Sequence, residues 1–197
     1  MSNGKRKILI IDGHPDGDAR RFVHALAASY EAAARASGHE VRTIRICDLH
    51  WPPLAGAKEF LEGEPSEAVR AAQEDLAWCD HATILFPLWL GALPASLKGF
   101  FEQVLRPGFA FGPIKRGKLV KKLLAGRSAR VVVTMGMPAF VYRWYFRAHS
   151  LKSLERNILR FVGFGPVRAS LVGSVEASAG HRERWLTRMR RLGAAAA

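Results

Sequence analysis

Residues 83–112 read TILFPLWLGALPASLKGFFEQVLRPGFAFG, and this stretch decides the fold. Residues 82–86 are a short apolar run with β-branched members, the pattern of a strand covered on both faces. Pro87 lacks a ladder donor and predicts the strand's end. Gly91 permits close approach of a ligand to the main chain, and Pro94 suits the first turn of a helix. In that helix Leu97, Phe100, Phe101, Val104 and Leu105 fall at i, i+3, i+4, i+7 and i+8, a single apolar stripe. In open α/β sheets, ligands sit at the carboxyl end of such a strand. A plain structural reading stands beside this one, with Trp89 and Leu90 capping the core beneath a loop.

Strand and helix signals alternate outward from this segment, the signature of a parallel sheet with helices on both sides. Residues 6–12, containing KILII, predict a central strand. Residues 19–37 predict a helix with Phe22, Leu26, Tyr30 and Ala33 on its inner face, stopped by Gly38. Residues 40–46, interspersed with Arg42 and Arg45, predict an edge strand. Residues 66–78 predict a helix opened by Pro65 and Ser66, with Val69, Ala72 and Leu76 facing in. Residues 130–134 (RVVVT) predict a fourth strand, 151–162 a helix burying Leu151, Leu154, Ile158 and Phe161, and 167–172 a fifth strand. A last helix at 181–192 buries Trp185, Met189 and Leu192. This order predicts a flavodoxin-like α/β fold, a doubly wound five-stranded parallel sheet of order 2-1-3-4-5. It is expected as one domain over residues 1–197, with 193–197 a frayed tail. Residues 47–64 and 135–150 read as long irregular loops, and the aromatic content of the second argues for function.

Composition narrows the class. The chain has 197 residues, 49% of them hydrophobic, which is globular rather than disordered. No apolar run approaches the roughly 18 residues that span a bilayer, and the amino terminus lacks a secretory pattern, so stable membrane insertion is not expected and a cytoplasmic location is. Cys47 and Cys79 form no metal or redox spacing and read as small buried or half-buried residues. Thirty Lys and Arg against 17 Asp and Glu give a formal charge of +13. The basic residues are scattered, with modest clusters at 115–122 and 182–191, and no nucleic-acid-binding motif accompanies them. Nucleic acid is therefore not the expected partner. A solvated cationic surface is the bland reading, and attraction of an anionic nucleotide the functional one.

Three loops follow the first, third and fourth strands: residues 14–21, 87–92 and 135–142. The proposed strand order makes these strands neighbours, so the loops converge on one crevice. The first runs from GHPDGDARRF into a helix whose N–H groups, with Arg20 or Arg21, suit a phosphate. No GxGxxG, Walker or GxSxG motif occurs, which removes the Rossmann, nucleotide-hydrolase and α/β-hydrolase readings.

The GHP after the first strand, FPLWLGALPASLKGFFEQV, PGFAF at 107–111, LLAGRSARVVVTMGMP and VYRWYFRAH together resemble the NAD(P)H:quinone oxidoreductase family of flavodoxin-like flavoproteins over residues 6–175. That family includes bacterial quinone reductases and ancillary proteins of potassium efflux systems. The resemblance implies a homodimer with the active site at its interface, in which hydride passes from NAD(P)H to a flavin and on to a quinone or similar acceptor. FAD is the flavin the resemblance implies and FMN the alternative, because the second long loop, at 135–150, and a dimer partner could cover an adenine. By position, the resemblance places His14, Arg20, Arg21 and Phe22 at the ribityl phosphate. Pro87, Leu88, Trp89 and Leu90 fall against the ring, and Thr134, Met135, Gly136 and Met137 along its other edge. Tyr142 and His149 fall where the family keeps a Tyr and a His beside the flavin, a catalytic pair. Ala19 and Arg21 depart from the Ser/Thr and Asn usual there, and TMGMP from a TTGGP-like turn. Ordinary readings stand beside these roles: His149 as a surface group at a helix start, Tyr142 as core, His14 as a turn residue. Histidines 24, 39, 50, 81 and 181 show no partner pattern. The alternative function is a flavin-binding ancillary subunit of a membrane transporter.

Overall fold

The computed structural model describes residues 4–113 and 119–197, so part of the basic cluster expected at 115–122 lies outside the described residues. Five parallel strands, β1 (Lys7–Asp12), β2 (Glu40–Arg45), β3 (His81–Pro87), β4 (Ser128–Thr134) and β5 (Val167–Val172), form one sheet in the order β2-β1-β3-β4-β5. The expected topology is the observed one. β3 is buried along its whole length, as a central strand covered by helices on both faces must be. It does not stop short of Pro87. That residue pairs opposite Thr134, and the next main-chain donor, Leu88 N–H, reaches Thr134 O at 2.7 Å, so the missing proline N–H leaves no gap in the ladder.

Side chains alternate across the sheet with the period of two that a strand imposes. Ile8 and Ile10 face helices α1 (Phe22–Ala36) and α8 (Ala179–Ala194), joining Leu26, Tyr30, Val132 and Met189 in one core. Leu9 and Ile11 face the opposite layer. There α3 (Glu67–Trp78) and α4 (Ala95–Val104) contribute Val69, Leu76, Leu97, Phe100 and Phe101. Ser66 caps α3 by accepting the Val69 N–H, the role its position suggested.

Several boundaries differ for identifiable reasons. The inner face of α1 is Val23, Leu26, Ala27, Tyr30 and Ala34, with Phe22 only partly buried against the same core. Residues 47–64 and 135–150 are not irregular throughout. A 3₁₀ turn (Ile46–Asp48) and the short helix α2 (Ala57–Glu62) occupy the first stretch, and α5 (Ala139–Trp144) the second. The helix expected at 151–162 begins as α6 (His149–Ser153), continues as a π-helical turn (Leu154–Leu159) and ends as α7 (Arg160–Val162). The wider turn carries one extra residue. Leu159 and Val162 therefore face the core most fully, the expected Ile158 packs against it while partly buried, and the expected Phe161 is exposed.

The tail corrects a second expectation. Residues 193–197 are docked rather than frayed: Ala196 is fully buried, its carbonyl accepts Arg6 Nη1–H at 2.9 Å, and its N–H bonds to Gly193 O. Gly193 allows this, because a Cβ there would lie 2.2 Å from Tyr30 O on α1. An alanine at an exposed helix interior ordinarily stabilises by about 1 kcal/mol over glycine. Steric overlap with α1 reverses that sign, and Gly193→Ala is expected to destabilise by about 1–3 kcal/mol. Urea unfolding checks it through a lower midpoint at unchanged slope.

Candidate active site

The loop after β1 is organised by a buried carboxylate. Asp12, the last residue of the strand, accepts the His14 N–H at 3.2 Å through one oxygen and meets His24 Nδ1 at 2.5 Å through the other. His24 Nε2 lies 2.9 Å from Asp16 O, so both of its ring nitrogens face acceptors. This ties the first turn of α1 to the strand end. His14 is buried, and its Nδ1 lies 3.1 Å from both the main-chain N–H and the carbonyl oxygen of Asp16. Burial, and next the neighbouring His24, hold its pKa below the ordinary histidine value. The His14 ring meets Trp89 edge-on with centroids 5.8 Å apart, which joins the first and second loops.

Arg20 and Arg21 are at the expected place but are already engaged. Arg20 pairs with Asp18 at 2.7 Å, and Arg21 pairs with Asp16 at 2.5 Å. The same carboxylates accept main-chain donors, Asp16 from the Asp18 N–H at 2.9 Å and Asp18 from the Arg20 N–H at 3.0 Å. The Arg20 guanidinium holds the Asp18 carboxyl well below the usual carboxylate range. The loop thus supplies its own anions to the donors that an incoming phosphate would use.

The second loop is a tight turn. Trp89 and Ala92 exchange two main-chain hydrogen bonds of 2.9 Å, and the central residues Leu90 and Gly91 have φ of +47° and +76°, as a type I′ turn requires. Glycine takes that conformation readily, whereas for leucine it is strained by about 1–2 kcal/mol. Leu90 is also fully exposed, so burial contributes nothing to hold it there. Strain of this kind clusters at ligand clamps and switch regions.

The turn forms one side of a cleft of about 470 Å³ lined by Leu88, Leu90, Gly91, Met137, Tyr142 and His149, among others. The structure therefore brings the second and third loops together with both members of the expected pair. Their environments differ. Tyr142 is 1% exposed, and its hydroxyl accepts the Leu151 N–H at 3.1 Å and lies 2.7 Å from Ser150 Oγ. His149 stands exposed in the first turn of α6, and among the described residues its imidazole has no hydrogen-bond partner. Met135 is a core residue packed beneath the sheet's end, so only Met137 of the methionine pair lines the cleft. Thr134 and Pro87 are buried in the ladder, and Gly136 is exposed. Phe140, Trp144, Tyr145 and Phe146 stand exposed on the same segment.

Sequence reasoning missed the Asp12–His24 contact, because the partners lie on different elements. The available signal was Asp12 itself, since a carboxylate closing a buried strand needs a partner. In residues 47–64, Trp51 packs on Phe100 of α4 (5.7 Å between ring centroids) and Phe60 on Phe111 beyond that helix (6.4 Å).

A family model for the flavodoxin-like fold matches residues 6–192. NAD(P)H dehydrogenase [quinone] 1 of Rattus norvegicus is 30% identical over 200 residues, covering 86% of this chain and 69% of the relative. An FMN-dependent NADH:quinone oxidoreductase of Nitratidesulfovibrio vulgaris is 28% identical over 183 residues, covering 84% and 85%. The structure of an NAD(P)H:quinone oxidoreductase from Methanothermobacter marburgensis superposes with a TM-score of 0.81 at 22% identity, covering 96% of each chain, a likeness of fold.

The strained turn yields a prediction of its own. Leu90→Gly relieves the left-handed strain and loses no buried contact, while added backbone entropy in the unfolded chain opposes the gain. The flavin-free protein is expected to keep its unfolding free energy or gain up to about 1 kcal/mol, measured by urea titration. A loss above that size would mean that Leu90 packs in solution.

Proposed function

We propose, from the premise that this chain belongs to the flavodoxin-like fold family, that it is a flavin-dependent NAD(P)H oxidoreductase acting on a quinone-like acceptor. The observation that carries this reading is the cleft at the carboxyl ends of β3 and β4. It is largely apolar, about 470 Å³ in volume, and places a strained turn opposite Tyr142 and His149. A flat ring fits such a wall, because the fully exposed Leu90 and half-exposed Trp89 gain burial from it. FMN is the flavin we assign in place of FAD. The Nitratidesulfovibrio relative is named for FMN. A bound flavin would supply two-electron hydride chemistry between nicotinamide and acceptor.

The chain's own residues divide the remaining work. His14 offers an imidazole beside Trp89 for the flavin's polar edge. Arg20 and Arg21 would release Asp18 and Asp16 to meet the phosphate. His149 is the donor free to face negative charge developing on the pyrimidine edge of the ring. Tyr142 holds the start of α6 through Leu151 and Ser150, and so orients His149. The exposed Phe140, Trp144, Tyr145 and Phe146 support a homodimer that covers the cleft's rim. Light scattering would then read about twice the chain mass of 21.8 kDa. Unpaired Cys47 and Cys79 suit a reducing, cytoplasmic setting. Neither enzyme relative is described as a transporter subunit, and the ancillary-subunit reading draws no support from them.

A donor aimed at developing charge is worth about 10²–10³ in rate. Stopped-flow reduction by NAD(P)H should therefore slow by about that factor in His149→Ala, with flavin content unchanged. Tyr142→Phe should slow it less, yet destabilise the fold by about 1–3 kcal/mol, because the buried Leu151 N–H loses its acceptor. A parent rate in His149→Ala would sink the assignment.

Arg20→Ala and Arg21→Ala should each weaken FMN binding. A charge-assisted contact contributes about 1.5–3 kcal/mol, and the competing aspartate places the effect at the lower end, roughly tenfold. Fluorescence titration measures it. Parent affinity in both variants would mean that main-chain N–H groups at the start of α1 hold the phosphate alone.

A further inference from the structure

At the opposite end of the sheet, the amino ends of β3, β4 and β5 frame a second cleft of about 390 Å³. Its walls include Arg6, His81, Ser128, Pro166, Arg168 and Ala196. β3 is seven residues long, so at about 3.3 Å per residue this cleft lies on the order of 20 Å from the one beside Tyr142.

Its side-chain charge is positive, and Ala197, which carries the terminal carboxylate, also stands on its wall. Arg130, 6% exposed, lies across from Arg168 in the β4–β5 register, and its only polar partner among the described residues is Ser170 Oγ at 2.9 Å, with Nε unpartnered. Arg6 is held by neutral groups, Ala196 O at 2.9 Å, Ser128 Oγ at 2.9 Å and Asp80 O at 3.4 Å. Among the described residues no carboxylate comes within 4 Å of Arg6, Arg130 or Arg168. The carboxylate of Asp80, adjacent in sequence to His81, accepts the Lys7 N–H at 2.9 Å instead. Buried cations without counter-charge are costly, and proteins rarely keep them without a partner.

His81 adds an independent sign. It is 3% exposed, with Nδ1 2.8 Å from Ser128 Oγ and Nε2 buried without a partner. Arg6 donates to that same hydroxyl oxygen.

We propose that this cleft is an anion site, taking a phosphate-sized oxyanion between Arg6 and Arg168 in front of His81. The oxyanion is either inorganic phosphate or the phosphoryl end of a small ester, since the same donors serve both. His81 itself contributes no charge: burial, then Arg6, Arg130 and Arg168, push its pKa down to about 3. Among the described residues no side-chain carboxylate supplies counter-charge to these arginines, and the ligand would add to what the terminal carboxylate of Ala197 gives the cleft. The site stands apart from the proposed redox cleft and does not depend on its assignment.

Calorimetric titration of the flavin-loaded protein with inorganic phosphate, at constant ionic strength, tests this, with glycerol phosphate as a parallel arm. One saturable site is expected, weakened at least tenfold in Arg168→Gln. Arg168 is exposed, so the fold of this variant should hold even where Arg6→Gln proves unstable. The His81 ring resonances should shift with phosphate in the parent but not in Arg168→Gln. Tighter binding of glycerol phosphate would identify the ligand as an ester, and equal binding as the free anion. Absence of saturable binding of either probe overturns the proposal. So does binding that survives Arg168→Gln with the His81 signal unmoved.

Discussion

One main-chain hydrogen bond, from Leu88 N–H to Thr134 O at 2.7 Å, fixes the relation between the two loops that make the cleft. It continues the β3–β4 ladder one step beyond a proline that cannot donate. The Trp89–Ala92 turn therefore leaves the sheet at a set height beside Met137 and the helix that carries Tyr142. Were the two strands to slip by one residue, their inward and outward faces would exchange. Full burial of β3 on both sides forbids that slip. The geometry of the cleft is thus inherited from the apolar run at 82–86 rather than built by the loops that line it.

That inheritance explains what the sequence made legible. The strands announce themselves because a central parallel strand admits few polar residues, and Pro94 and Ser66 mark helix starts through backbone chemistry local to them. The cleft was legible for the same reason, since strand order places the ends of β3 and β4 side by side. Contacts between side chains distant in sequence were not. The Asp12–His24 contact, and the salt bridges that occupy Arg20 and Arg21, depend on the path of a turn that no periodicity encodes. The shifted inner face at Leu159 and Val162 was hidden because the apolar pattern at 151–162 also fits an unbroken α-helix.

The arginines, too, have a spatial logic that counting them conceals. Around the first loop each cation is matched by a nearby acid, so the formal excess is locally cancelled. At the amino ends of β4 and β5 it is not, and Arg130 and Arg168 stand as register partners with no acid between them. A formal charge of +13 is therefore a poor guide to where the molecule attracts anions. The distribution of the 17 acidic residues is the better one.

The π turn between α6 and α7 acts as a vernier. The front of this segment is set by Tyr142, which receives the Leu151 N–H, and the back by Leu124 N–H, which bonds Val162 O at 3.0 Å. Two anchors a fixed distance apart rarely match a whole number of helical turns. Accommodating one surplus residue between them absorbs the mismatch without moving either end. Residues 154–159 are consequently the place where the length of this segment is reconciled with the fixed positions of His149 and β5.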